Sequence, residues 1–84
     1  MHEGTVCTEI VKIVERAAAQ HGIQIVYEIV IVAGPYSCLN EKQLNFYLPI
    51  AGKGTCAEGA VIRLEQEESL IGAAQMYVKS FRGE

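Results

Sequence analysis

The ten residues Gln24–Ala33, QIVYEIVIVA, constrain what this chain can fold into more than any other stretch. β-branched residues dominate it, apolar side chains occupy both parities except at Glu28, and Gly34-Pro35 ends it. Branched side chains suit a pleated surface, and a strand that is apolar on alternate positions of both faces needs cover on both. The run therefore predicts a central, well-covered strand. The remainder of an 84-residue chain has to supply its partners and its cover.

Upstream, from Thr5 to about His21, Val6, Ile10, Ile13, Val14, Ala17 and Ala18 recur at spacings of three and four, which is one face of a helix. Gly22 supplies a left-handed stop, and Glu3 and Glu9 precede Lys12 and Arg16 in the sense that complements the helix dipole. Downstream, Asn40-Glu41-Lys42-Gln43 has the form of a capping box bracketed by Leu39 and Leu44 as a hydrophobic staple, so a second helix starts at about Glu41. Leu44, Tyr47 and Leu48 read as its inner stripe. Pro49 ends or kinks it nearby, and Gly52-Lys53-Gly54 is the loop. Ala60–Glu65 and Gln75–Phe81 alternate apolar with polar and read as half-buried strands, joined by a short link, Gln66–Ala74. The expected fold is α+β: two helices packed on one face of a small three-stranded sheet, order α-β-α-β-β, as one domain over residues 1–84 without repeat or linker. Antiparallel neighbours are the simplest joining of the last two strands, while the second helix is long enough to carry the chain over from the first strand to the next. A domain this small has a thin core, so a partner, a metal or a second copy matters to its stability, and a homodimer is among the expectations.

A net charge of −3, with seven Lys and Arg scattered along the chain, gives no electrostatic footprint for nucleic acid or an anionic membrane. No apolar run approaches the roughly 20 residues of a membrane span, and the N-terminus has neither a basic start nor an apolar signal core, so a cytoplasmic protein is expected. The three cysteines, Cys7, Cys38 and Cys56, are odd in number and far apart, which argues against a disulfide framework or a Cys-x-x-Cys site. They read as half-buried thiols in a reducing compartment, with a soft metal ligand as the minority alternative. The usual parts of an active site are missing: there is no Asp, no Gly-x-Ser-x-Gly turn, and neither Cys38 nor Cys56 has a His nearby in sequence to serve as its base. Gly52-Lys53-Gly54-Thr55 lacks the upstream Gly of a phosphate loop and follows a helix rather than a strand. Glu65, Glu67 and Glu68 read as a solvated turn rather than a hard-cation site. His21 suits a helix C-terminus better than the role of a second metal ligand.

Met1-His2-Glu3 is different because of its place. A His beside a free α-amino group puts an amine, backbone amides and an imidazole in one short stretch. Tetragonal nitrogen coordination suits Cu(II) and Ni(II) rather than Zn(II) or Mg(II), and Cu(II) is expected to compete in vitro. Anchoring amide nitrogens requires their deprotonation, so mildly alkaline conditions favour binding and acid releases the metal. A bulky second residue also hinders removal of the initiator Met, which would keep the Met1 amine in place. The bland alternative is a frayed terminus with an incidental His.

These features together resemble the HypA family of hydrogenase and urease nickel-incorporation proteins, along nearly the whole chain. The matches run in order through Met1-His2-Glu3, the first helix, the hydrophobic strand ending at Gly34 followed by Ser37, Leu44-x-Phe46, Gly54-Thr55-x-x-Glu58-Gly59-Ala60, and a final strand around Tyr77-Val78-Lys79-Ser80. The resemblance implies a non-enzymatic nickel carrier that holds Ni(II) through the Met1 amine, the His2 imidazole and the backbone nitrogens of His2 and Glu3. It assigns Gly34, Ser37 and the Gly54–Ala60 stretch to the fold, and leaves the Glu3 carboxylate free to orient the imidazole from outside the coordination shell. Family members insert a zinc module with two Cys-x-x-Cys pairs between the last two strands, where this chain has only Gln66–Ala74 and no cysteine. No structural zinc is therefore expected. That module is linked to partner contacts, which separates nickel binding here from delivery to a nickel enzyme and from cooperation with a GTPase partner. The alternative is a HypA-like protein–protein interaction or dimerisation module with a vestigial metal site, using the exposed edges of a three-stranded sheet.

Overall fold

A computed structural model describes residues 2–71 and 76–84. The elements follow the expected order: α1 (Glu3–Gln20), β1 (Val26–Ala33), α2 (Glu41–Ala51), β2 (Val61–Gln66) and β3 (Met76–Gly83). The expected strand start at Gln75 lies outside the described residues, as do 72–74 of the expected link.

β1 occupies the centre of the sheet, whose order is β2-β1-β3. It runs parallel to β2, with Ile29 opposite Ile62 and Ile31 opposite Leu64, as the crossover through α2 requires. It runs antiparallel to β3, with Ile29 opposite Phe81 and Ala33 opposite Met76, and irregularities between Val26 and Glu28 and between Val30 and Ile31. The last two strands are thus not neighbours, contrary to the antiparallel pairing expected between them. The reason is the course of the connection. The amide of Glu67 donates to the carbonyl of Ala33 at 2.9 Å and Leu70 closes a turn back onto Glu67 at 3.1 Å, so the chain passes over the end of β1. It then continues on the far side. The strand that is apolar on both faces takes both partners, leaving the two less apolar strands at the edges.

Ile29 and Ile31 face the helices together with Ile62 and Leu64 of β2 and Met76, Val78 and Phe81 of β3. From the helices come Val6, Cys7, Ile10, Val11, Val14 and Ala18 of α1 and Leu44 and Leu48 of α2. Full burial of a single such aliphatic side chain is worth about 1.5–3 kcal/mol, so this one cluster carries the fold. The buried arc of α1 differs from the one its spacing predicts. Ile13 is 47% exposed and Ala17 only half-buried, while Cys7 and Val11 are buried. α1 packs against α2 on that side, and the neighbour rotates the arc that needs cover.

α2 begins where expected. Asn40 caps it in an extended conformation, its Oδ1 accepting from the Gln43 amide at 3.0 Å. The helix runs two residues past Pro49, to Ala51. Tyr47, expected on the inner stripe, is 36% exposed instead. On the opposite face of the sheet, Glu28 is bracketed by Arg63 at 2.6 Å and Arg82 at 3.9 Å, and Lys79 reaches Glu65 at 3.1 Å. Pairs as exposed as these contribute little each.

α2 also seals one edge of the sheet. The Asn45 side chain donates to the Ile62 carbonyl at 2.9 Å and accepts from the Ile62 amide at 2.8 Å, as a neighbouring strand would. One turn earlier, the Glu41 carboxylate accepts from the Leu64 amide at 2.8 Å. The edge of β2 is therefore occupied by side chains, which is a recognised way of blocking strand addition. The expectation of two exposed edges holds only for β3, whose outer edge receives no described backbone hydrogen bond.

Candidate metal centre

The chain enters α1 through His2, an extended N-cap residue (φ −85°, ψ 127°) whose side chain makes no capping hydrogen bond. The first helical bond runs from the Val6 amide to the His2 carbonyl at 3.0 Å. Helix geometry then leaves the Glu3 amide, at the start of the helix, without an intrahelical partner. The His2 side chain is exposed and Glu3 half-buried. Among the described residues, the imidazole and the backbone nitrogens of residues 2 and 3 thus have no hydrogen-bond partner. Met1, the source of the amine, lies outside the described residues.

Two deprotonated amides would cancel the charge of a divalent cation. The positive end of the α1 dipole, which disfavours a bare cation by about 0.3–1 kcal/mol, therefore does not oppose a chelate of this kind. The donor set fits nickel chemically, by main-chain nitrogen rather than by a cluster of side chains. Among the described residues no three His, Cys, Asp or Glu side chains converge to hold a metal.

A polar cleft of about 360 Å³ adjoins the terminus, lined by His2, Glu3, Gly4, Thr5, Thr8 and Tyr47. Among the described residues, Tyr47 is its sole contribution from another element. A Cβ built on Gly4 would lie 3.7 Å from the Tyr47 Cδ1, and the Tyr47 ring stands edge to face on Phe46 with centroids 5.0 Å apart. Sequence reasoning missed Tyr47 as a wall of this cleft, because its spacing from Leu44 is equally that of a core position.

The other candidates fall away on their surroundings. Cys7, one turn beyond Glu3, donates its thiol hydrogen to the Leu44 carbonyl at 3.3 Å. Burial first, and the negative charge of Glu3 second, push it up to about 11. A thiol held protonated is a poor metal ligand and a poor nucleophile. Burial also raises Cys56, with Glu15 adding to the effect. Cys38 is exposed. His21 closes the far end of the 18-residue α1, about 27 Å away at the usual helical rise, and cannot share a metal ion with His2.

In the loop at Gly52–Thr55, Glu58 Oε1 already accepts from the Gly54 amide at 2.9 Å, and Thr55 Oγ1 donates to the Gly52 carbonyl at 2.7 Å and accepts from the Ala57 amide at 3.2 Å. An acid of the chain itself sits where a phosphate would be needed. Gly54 adopts φ +78°, and the Cys56 carbonyl accepts from the Val26 amide at 2.9 Å, so this stretch anchors the start of β1. Ser37 is buried and its Oγ accepts from the Leu39 amide at 3.3 Å. Glu65, Glu67 and Glu68 are exposed and separately engaged, with Lys79, Ser69 and Gln66.

A family model described as hydrogenase/urease nickel incorporation, metallochaperone, HypA, matches residues 1–75. The chain belongs to the HypA family. Among its relatives, the hydrogenase maturation factor HypA of Escherichia coli K12 is 33% identical over 69 residues, covering 82% of this chain and 60% of the relative. HypA of Pectobacterium atrosepticum is 35% identical, covering 82% and 59%. The hydrogenase maturation factor HybF of Salmonella typhimurium LT2 is 34% identical over 65 residues, covering 77% and 58%. The chain thus spans less than two thirds of the length of these HypA-family relatives.

The fold is also that of the solution structure of the Ni metallochaperone HypA from Helicobacter pylori, with a TM-score of 0.79 at 12% identity over 99% of this chain and 97% of that one. A second HypA solution structure gives a TM-score of 0.74 at 11% identity over 100% and 97%. Among the described residues no helix is long and apolar enough to cross a membrane.

Proposed function

We propose that this HypA-family domain is a non-enzymatic, cytoplasmic nickel-binding accessory protein that holds Ni(II) at its N-terminus through the Met1 amine, the His2 imidazole and the backbone nitrogens of His2 and Glu3, without zinc. The observation that carries this reading is the state of the α1 start, where the extended His2 leaves its imidazole and the Glu3 amide without a partner among the described residues. Maturation of a nickel enzyme is the role that family membership supports. Cooperation with a GTPase partner is a further step that does not follow from nickel binding alone.

The test is a nickel titration of untagged protein at about pH 7.5, where amide coordination competes with protons, read by absorption and calorimetry. Near-stoichiometric binding, lost in His2→Ala and in a variant extended at the N-terminus, is the expected result. Glu3→Gln retains the spectrum, because Glu3 contributes its amide. Failure to bind more than these controls would sink the reading. Lowering the pH to about 5 is expected to release the ion, because amide coordination requires deprotonated nitrogens.

A second reading has its own observation in its favour. With β2 sealed by Asn45 and Glu41, the outer edge of β3 is a row of backbone groups suited to strand addition, so the domain also fits an interaction or homodimerisation module. It predicts self-association or partner binding that His2→Ala leaves intact, measured by light scattering across a concentration series.

A further inference from the structure

A chelate assembled from residues 1–3 is contiguous in sequence, so an unfolded chain holds the same donors as a folded one. The fold adds affinity only if something outside that stretch holds the terminus in the chelating arrangement. One side chain is placed to do so. Tyr47 projects from α2, between the fully buried Leu44 and Leu48 that anchor that helix in the core. Phe46 supports its ring at 5.0 Å and 88°. The ring lies alongside Gly4 in the first turn of α1, and among the described residues lining the cleft Tyr47 is the one that α1 and its cap do not supply. A Cβ built on Gly4 would meet ring carbons, Cδ1 at 3.7 Å and Cε1 at 3.9 Å, so the aromatic surface rather than the hydroxyl is the working part. Ring packing of this kind also explains a 36% exposed aromatic at a helix position that spacing assigns to the core.

We propose that Tyr47 is a positioning residue for the N-terminal nickel chelate: its ring, fixed by Phe46 and laid against Gly4, stops the first turn of α1 from fraying and walls one side of the space the imidazole and amides occupy. The inference rests on the nickel reading above. It makes the tertiary fold, and not the terminal tripeptide alone, responsible for part of the affinity.

The experiment compares wild type, Tyr47→Ala, Tyr47→Phe and His2→Ala in three measurements: nickel affinity, the nickel-dependent rise in Tm, and quenching of tyrosine fluorescence by saturating Ni(II). The chain has four tyrosines and no tryptophan, so the emission is theirs. Tyr47→Ala is expected to weaken nickel roughly tenfold, the scale of lost outer-shell support, and to lose the nickel-dependent rise in Tm whatever its metal-free Tm. Tyr47→Phe keeps affinity and the Tm rise but loses a share of the quenching, because the ring that borders the metal no longer emits. Folding of each variant is checked by circular dichroism, and Tyr47→Phe carries the test should Tyr47→Ala not fold.

Wild-type affinity and an unchanged Tm rise in Tyr47→Ala would overturn the proposal while leaving the chelate standing. Unchanged quenching in Tyr47→Phe would also overturn it, since Tyr47 would then not border the ion. Wild-type protein that binds nickel no better than His2→Ala would overturn the proposal and the nickel reading together.

Discussion

Single residues in this domain are legible mainly through their neighbours. Cys7 looks in sequence like any small thiol, yet its burial, with the negative charge of Glu3 adding to the effect, raises it from 9.0 to about 11. The sign of the consequence follows from proton counting. Below about pH 9 both states hold the proton, while between pH 9 and 11 the unfolded chain loses it and the folded one keeps it, so rising pH draws the equilibrium toward unfolding. Chemical denaturation from pH 8 to 11 is expected to show a decline of up to about 2 kcal/mol that is absent in Cys7→Ala after its own baseline loss. Gly34 makes a similar point with backbone. A Cβ there would lie 1.7 Å from the Leu70 carbonyl oxygen, so the turn after β2 must move to admit a side chain. Gly34→Ala is expected to cost roughly 1–3 kcal/mol in denaturant midpoint measurements, the range of overpacking elsewhere. The sequence signals a break at Gly34-Pro35, but not that another loop leans on it.

At the scale of elements, the sequence carries α1, β1, α2 and their order because periodicity, capping and turn residues are local properties. The Asn40 cap and the Gly22 stop stand where the chain pattern puts them, since each is decided within one turn of helix. The partners of β2 and β3 are not local. Asn45 reads as an ordinary helix residue until β2 is seen beside it, completing both bonds of Ile62. Removing that side chain with Asn45→Ala is expected to cost about 1–3 kcal/mol for the partners it strands. It should also open a second sheet edge, visible as concentration-dependent association in sedimentation beyond that of wild type at equal concentration. Unchanged stability and association would show that water replaces Asn45 without penalty.

For the molecule as a whole, the linkage between metal and fold is the informative quantity. A ligand at a hundred times its Kd stabilises a protein by about 2.7 kcal/mol when the unfolded state does not bind it. Donors contiguous in sequence survive unfolding, so the nickel-induced gain in wild type is expected to be smaller than this limit. A gain at the full limit in calorimetry would mean that the unfolded chain does not chelate at all and that the fold builds the entire site. The difference between the two measures what the packing of α2 against α1 contributes to the site proposed at the first residues of the chain.

The proposed tripeptide donor set, the helices and the hydrophobic central strand needed no tertiary structure to be read. Donor chemistry belongs to residues adjacent in the chain, and a repeat of 3.6 or 2 residues marks a face whatever that face meets. The strand order, the sealing of β2 by α2, the rotation of the buried arc of α1 away from Ile13, and the place of Tyr47 beside Gly4 all depend on residues far apart in sequence meeting in space. A stripe of apolar side chains says that a face requires cover, and the neighbour that arrives decides which residues at its margin are buried and which become the walls of a site.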